Sequence, residues 1–247
     1  MKFFLRAALV VWSMLLAGSA FAQNASLPGV AINFGQGTNL VDTMEVLLLF
    51  TVLTMAPAII ILCTSFTRIV VVLSFMRQAL GTQNMPPNQL LIGFALFLSI
   101  FVMMPTGKSL YNNTILPYQA KQIDATQALK GLEKDLRAFM SKHVRKADIG
   151  LFFDVTGEPA PDDINAVPIH YLIPAFIISE LKTAFQIGFL LYIPFIVLDM
   201  VVASVLMAMG MMMLPPMLVS MPFKLLLFVL VDGWQLVTGA ILRSFYT

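Results

Sequence analysis

The chain has 247 residues, of which 59% are hydrophobic and only 11% are charged. Soluble domains carry about 25% charged residues, and so much apolar surface does not fit inside one water-soluble core of this size. The chain is therefore expected to pack against lipid, against partner subunits, or against both. A net charge of +2, without any basic recognition segment, argues against nucleic acid as a partner.

The first 22 residues have the pattern of a cleavable secretory signal. Lys2 and Arg6 form a short basic region, residues 7–16 are apolar, and Ala20-Phe21-Ala22 provides the small-x-small cleavage pattern. An uncleaved first transmembrane helix is the alternative. Cleavage would give a bacterial inner-membrane protein whose mature N-terminus is periplasmic. Residues 23–43 are predicted to be a small, polar lead-in.

Residues 44–105 are predicted to form a first hydrophobic helical hairpin. Residues 44–63 are an apolar run long enough to cross a bilayer, with a kink expected at Pro57. Breakers at residues 81–88 (GTQNMPPN) predict a turn, and residues 90–105 form the second hydrophobic segment.

Residues 106–170 are predicted to be a small, polar, mostly helical domain. They contain eight of the 15 basic residues and eight of the 13 acidic residues. Apolar residues spaced three and four apart predict a helix over 119–146, whereas three prolines predict a loop over 148–168. Packing within this domain and contact with a neighbouring subunit are two open explanations for its apolar residues Phe139, Phe152 and Phe153. With a cleaved signal and four crossings, the domain lies in the periplasm.

Residues 171–247 are predicted to form a second hydrophobic hairpin of long helices, with a methionine-rich loop near 210–222. Hydropathy thus gives four segments, and residues 200–214 are either a fifth segment or an extension of the third. The predicted fold class is all-α, with hydrophobic hairpins that assemble into a helical ring or channel. The four segments are 44–63, 90–105, 172–198 and 223–242.

Five charged residues interrupt the second hairpin before Arg243, and three of them, Glu180, Asp199 and Lys224, carry the interpretation. Glu180 shares a helical face with the small residues Ala184 and Gly188, which permits close helix contact. A pair between Glu180 and Lys224, within or between subunits, would neutralise two charges that are costly in apolar surroundings. Asp199 is predicted to fix a helix bend or junction. Proton relay through the two carboxylates is the alternative.

Methionines are concentrated in the same region, since eight of the 17 lie between residues 200 and 221. Met209 and the run Met211, Met212 and Met213 precede Pro215-Pro216. Ordinary apolar filling, Cu(I) ligation and a deformable apolar seal are three interpretations. No nucleotide-binding, hydrolase or metal motif occurs, so we expect no enzyme, cofactor or metal.

Five stretches together resemble the FliP family of flagellar type III secretion. They cover most of residues 44–247 outside the polar segment. The signal region and the polar insertion favour the flagellar branch over the related injectisome proteins. The stretches are residues 174–189 (PAFIISELKTAFQIGF), 194–204 (PFIVLDMVVAS), 64–107, 209–216 (MGMMMLPP) and 223–239.

The resemblance implies a core subunit of an export gate that conducts unfolded flagellar proteins across the inner membrane. It implies a ring of about five copies, joined by FliQ-type and FliR-type subunits, with FlhA-type and FlhB-type neighbours. Met211, Met212 and Met213 would form the channel seal, with Met209 as an added candidate. The polar domain would be the periplasmic part of the ring, with subunit contacts at Phe139, Arg145 and Phe152. A proton-coupled small-solute transporter and a pure assembly scaffold are the alternatives.

Overall fold

A computed structural model describes residues 40–82, 85–161, 163–211 and 213–246. These residues are mostly helical, and no strand occurs among them. The predicted all-α fold class is therefore confirmed. The signal peptide predicted at 1–22, and the lead-in as far as residue 39, lie outside the described residues, so both stay predictions.

Nine α-helices occur in the described residues and are numbered in chain order. A π-helical turn, Tyr111–Ile115, joins the third helix to the fourth, and a 3-10 turn, Ile164–Ala166, precedes the seventh. The helices are α1 Leu40–Leu62, α2 Phe66–Ala79, α3 Asn88–Leu110, α4 Leu116–Gln119, α5 Ala125–His143, α6 Lys146–Thr156, α7 Ile169–Ala208, α8 Pro216–Leu230 and α9 Gly233–Tyr246.

The core of residues 57–247 is built around α2 and α7. Along α2, Ile69, Val72, Leu73 and Met76 are fully buried. Helix α7 approaches closely because Gly188 has no side chain: a Cβ there would lie 2.8 Å from ring atoms of Phe75. Helices α3 and α9 pack beside α2, and α5 and α6 pack against α7.

The polar segment contains more helix than the sequence pattern predicts. The helix predicted over 119–146 is present as α5, which begins with a capping box in which Asp124 and Gln127 bond each other's backbone N–H. The loop predicted over 148–168 is wrong for 148–156, which belong to α6. The prolines that suggested a loop all follow Gly157, whose φ of +73° ends α6 in the left-handed conformation that glycine tolerates.

The hydrophobic segments also differ from the hydropathy prediction. Helix α3 continues past residue 105 to Leu110, with Pro105 inside it, and the π-helical turn and α4 extend the helical stretch to Gln119. Helix α7 extends to Ala208, so residues 200–208 extend the third segment. The fourth segment is not continuous, because α8 and α9 meet at a 66° bend at Val231 and Asp232. Pro57 lies inside α1, which continues to Leu62.

Two stretches among the described residues, Asn88–Gln119 and Ile169–Ala208, are long and apolar enough to cross a membrane. The number rises to four if each of two bent helix pairs counts as one span. Large apolar side chains remain exposed on α1, α3, α7 and α8. The apolar helices therefore fit a membrane protein.

Candidate functional site

The deepest charged group of the fold is a pair between α2 and α7. Arg68 Nε donates to Oε2 of Glu180 at 2.8 Å, and Nη2 donates to Oε1 at 2.5 Å. Neither side chain is more than 3% exposed. This bidentate geometry is the strongest arrangement for a guanidinium and a carboxylate.

Arg68 also holds the C-terminal helix. Its Nη1 donates to the carbonyl oxygen of Ser244 at 2.8 Å and to the Ser244 hydroxyl at 3.0 Å. The guanidinium carbon lies 3.8 Å from the centre of the Phe245 ring. One buried cation therefore joins α2, α7 and α9.

Lys224 has a different partner from the one that the sequence suggested. Its Nζ donates to Oδ2 of Asp199 at 2.6 Å, and the Ser220 hydroxyl donates to Oδ1 at 2.5 Å. The predicted pairing of Glu180 with Lys224 is therefore wrong within the chain, because each residue is engaged elsewhere. Asp199 lies inside the continuous helix α7, and it ties α8 back onto that helix.

The methionine-rich loop, residues 209–215, follows the C-terminus of α7. Gly210 has a φ of +74°, and the N–H groups of Gly210 and Met211 bond the carbonyl oxygens of Met207 and Leu206 at 3.0 Å. This is the pattern of a Schellman motif, which ends a helix abruptly and favours glycine. The side chains of Met209, Met211 and Met213 are exposed, Met213 at 98%. Met212 lies outside the described residues.

Phe139, Phe152 and Arg145 make contacts within the chain. Phe139 is buried, with its ring 6.0 Å from that of Phe176 and 4.6 Å from that of His143. Phe152 is half-buried against the core. Arg145 Nη2 donates to Oε1 of Gln186 at 2.9 Å. Their contacts with another subunit stay a prediction.

Sequence reasoning missed Arg68 as the partner of Glu180 and missed the contact of Asp148 with α7, where the Ser179 hydroxyl donates to Asp148 at 2.5 Å. The signal for Arg68 was present, since it is a lone charge in an apolar stretch. Among the described residues, no group of three or more His, Cys, Asp or Glu side chains is placed to hold a metal ion. The candidate site therefore consists of buried ion pairs that join helices and of a methionine-rich loop with exposed apolar side chains.

The chain is similar in sequence to known proteins along most of its length. The FliP family profile matches residues 49–241. The flagellar biosynthetic protein FliP of Bacillus subtilis strain 168 is 53% identical over 207 residues, covering 84% of this chain and 94% of its own. The proteins of that name from Pectobacterium carotovorum and Aquifex aeolicus are 47% and 44% identical, covering 98% and 94% of this chain and 93% and 96% of their own. The chain therefore belongs to the FliP family.

Proposed function

We propose that the chain is a core, channel-forming subunit of the flagellar type III protein export gate in the bacterial inner membrane. It conducts unfolded flagellar proteins and has no enzymatic role. The observation that carries the proposal is the exposed methionine-rich loop, fixed at its base between two long apolar helices in a FliP-family chain.

Hydrogen bonds hold the two ends of the loop, whereas the side chains of Met209, Met211 and Met213 are exposed. The pair of Lys224 with Asp199 and the hydrogen bond from Ser220 hold α8 against α7 on the helical side of the loop. The Schellman motif at Gly210 fixes the direction in which the chain leaves α7. Methionine is unbranched and polarizable, so a collar of such loops can close on itself and deform around a passing polypeptide.

The exposed apolar faces support an assembled rather than a solitary subunit. We propose a homo-oligomer of about five copies that joins FliQ-type and FliR-type subunits, beside FlhA-type and FlhB-type gate proteins. In this arrangement residues 1–22 are a cleaved signal. The complex is part of the flagellar basal body, and the polar segment faces the periplasm. Contacts of Phe139, Arg145 and Phe152 with a neighbouring copy are part of the proposal.

The carboxylates favour this role over solute transport. A coupling carboxylate must release and bind its proton during transport, which a fixed partner opposes. Glu180 accepts from Nε and Nη2 on one edge of the Arg68 guanidinium, and Asp199 accepts from Lys224 and Ser220. The two carboxylates fit structural ties between helices better than proton relays.

The seal is tested by replacing Met211, Met212 and Met213 together with alanine. The assembled complex is reconstituted in a planar bilayer, and its ion conductance is measured without substrate. Shorter side chains leave an open constriction, so conductance should rise well above that of the wild type.

A matched control replaces Met200, Met207 and Met217, which are also exposed but lie on α7 and α8. This triple alanine variant should conduct like the wild type. Wild-type conductance in an assembled loop variant would refute the seal, and an equal rise in both variants would mean a general loss of packing.

A further inference from the structure

The last turn of α9 ends against side chains from two other helices. The final four carbonyl oxygens of an α-helix have no acceptor role inside that helix. Arg68 donates to the carbonyl oxygen of Ser244 at 2.8 Å, and Nε2 of His143 lies 3.4 Å from the carbonyl oxygen of Phe245. Two of the free carbonyl oxygens are therefore capped from outside α9.

The His143 ring faces a backbone carbonyl oxygen with both of its nitrogens. Nδ1 lies 2.9 Å from the carbonyl oxygen of Phe139, and Nε2 faces that of Phe245. A neutral imidazole has one N–H donor and one lone pair, whereas the protonated ring has two donors. A lone pair directed at a carbonyl oxygen repels it, so only the charged ring satisfies both acceptors.

We propose that His143 is a proton-dependent cap of α9, which fastens the C-terminal helix to the polar segment when the ring is charged. The C-terminus of a helix carries partial negative charge and favours a cation. Arg68 is a permanent cap on Ser244, and His143 is a titratable cap on the next residue. Loss of the proton leaves the Phe245 carbonyl oxygen opposite a lone pair and loosens this end of α9.

Both acidic and basic side chains surround the ring. His143 and Asp135 line one cavity of about 310 Å³, and Oδ2 of Asp135 is buried without a hydrogen-bond partner in the described part of the chain. Arg145, two residues beyond, is directed to Gln186 on α7. Helix α3 contributes Thr106 and Ser109 to the cavity. The charged and titratable groups around the ring are Asp135 and Lys142 of α5, Tyr246 of α9, Glu180 of α7 and Arg68 of α2.

The sign of the pH dependence follows from the two carbonyl oxygens. Because only the charged ring satisfies both, low pH favours the docked end of α9. Raising the pH should loosen it, because the ring then loses the proton that satisfies the second carbonyl oxygen. The inference does not depend on the proposed export function.

The test is hydrogen–deuterium exchange on the full chain in detergent, at about pH 5.5 and about pH 8. Exchange of the amides of residues 241–246 is corrected for the intrinsic pH dependence of the chemistry. In the wild type, protection should fall roughly three- to tenfold between the two conditions, as expected for the loss of one hydrogen bond.

Two glutamine variants make the test specific, since the chain has two histidines. His143→Gln cannot titrate and should show the same protection at both pH values. His170→Gln changes an exposed ring at the start of α7 and should behave like the wild type. Wild-type protection that does not change with pH, or a change that persists in His143→Gln, would overturn the proposal.

Nuclear magnetic resonance of His170→Gln with isotope-labelled histidine gives an answer that does not depend on how His143→Gln folds. This variant leaves one ring, so its signals need no further assignment. At about pH 5.5 both ring nitrogens should carry protons that exchange slowly with water. Rapid exchange of the Nε2 proton would show that it does not cap Phe245.

Discussion

The buried pair of Arg68 and Glu180 could be predicted from the sequence only in part. A lone carboxylate in an apolar segment predicts a buried partner, and this much followed from the sequence. The partner's identity did not follow, because Arg68 and Lys224 are both lone cations in apolar stretches. The pair is separated by 112 positions, and only the packing of α2 on α7 decides between them.

Replacement of Glu180 by glutamine should strongly destabilise the protein. It leaves the Arg68 guanidinium buried without a counter-charge, and breaking a buried pair by removing one partner costs roughly 3–5 kcal/mol. The free energy of unfolding is measured by chemical denaturation in detergent. Glu133→Gln is the matched control, because the Glu133–Arg137 pair lies on the surface of α5 and should contribute less than about 1 kcal/mol.

A Glu180→Gln variant as stable as the wild type would contradict the structural role. If that variant assembled normally but lost transport, the proton-coupled transporter would become the better account. Replacing Arg68 and Glu180 together with methionine should recover much of the lost stability, because no unpaired charge then remains.

At the scale of helices, the sequence predicted which elements exist better than where they end. The spacing of apolar residues predicts α5, whereas the sequence pattern did not place its start at the capping box of Asp124. The sequence pattern did not predict α6, because the prolines that follow Gly157 indicated a loop over all of residues 148–168. The bend between α8 and α9 was also missed, because residues 223–242 are apolar on both sides of Asp232. There the backbone turns at a positive φ of 50°, and Gly233 lies against the ring of Phe228.

Gly188 tests the packing of α2 on α7. A Cβ at this position would lie 2.8–2.9 Å from atoms of Phe75, so Gly188→Ala must push the two helices apart. We expect a loss of about 1–3 kcal/mol in the free energy of unfolding, which is typical of overpacking. Gly93→Ala in α3 is the control: nothing lies within 4 Å of the added Cβ, so a more helix-favouring residue should be neutral or stabilising. Equal effects of the two substitutions would refute the close approach at Gly188.

For the whole molecule, composition indicated an apolar protein but could not separate surface that faces lipid from surface that faces a partner. Lipid and an apolar partner surface favour the same side chains, and large apolar residues are exposed along α3, α7 and α8. The methionine-rich loop predicted near 210–222 is correct in part, because residues 216–222 belong to α8. The ion pair at its base could not be predicted, because Lys224 and Asp199 meet only when α8 folds back on α7.

Native mass spectrometry of the detergent-extracted protein tests the export-gate account most directly. The chain is measured alone and then together with candidate FliQ-type and FliR-type subunits. The account predicts a ring of about five copies that recruits both partners, with each copy lacking the mass of residues 1–22. A monomer or dimer that ignores both partners would contradict the account and favour a solitary transporter.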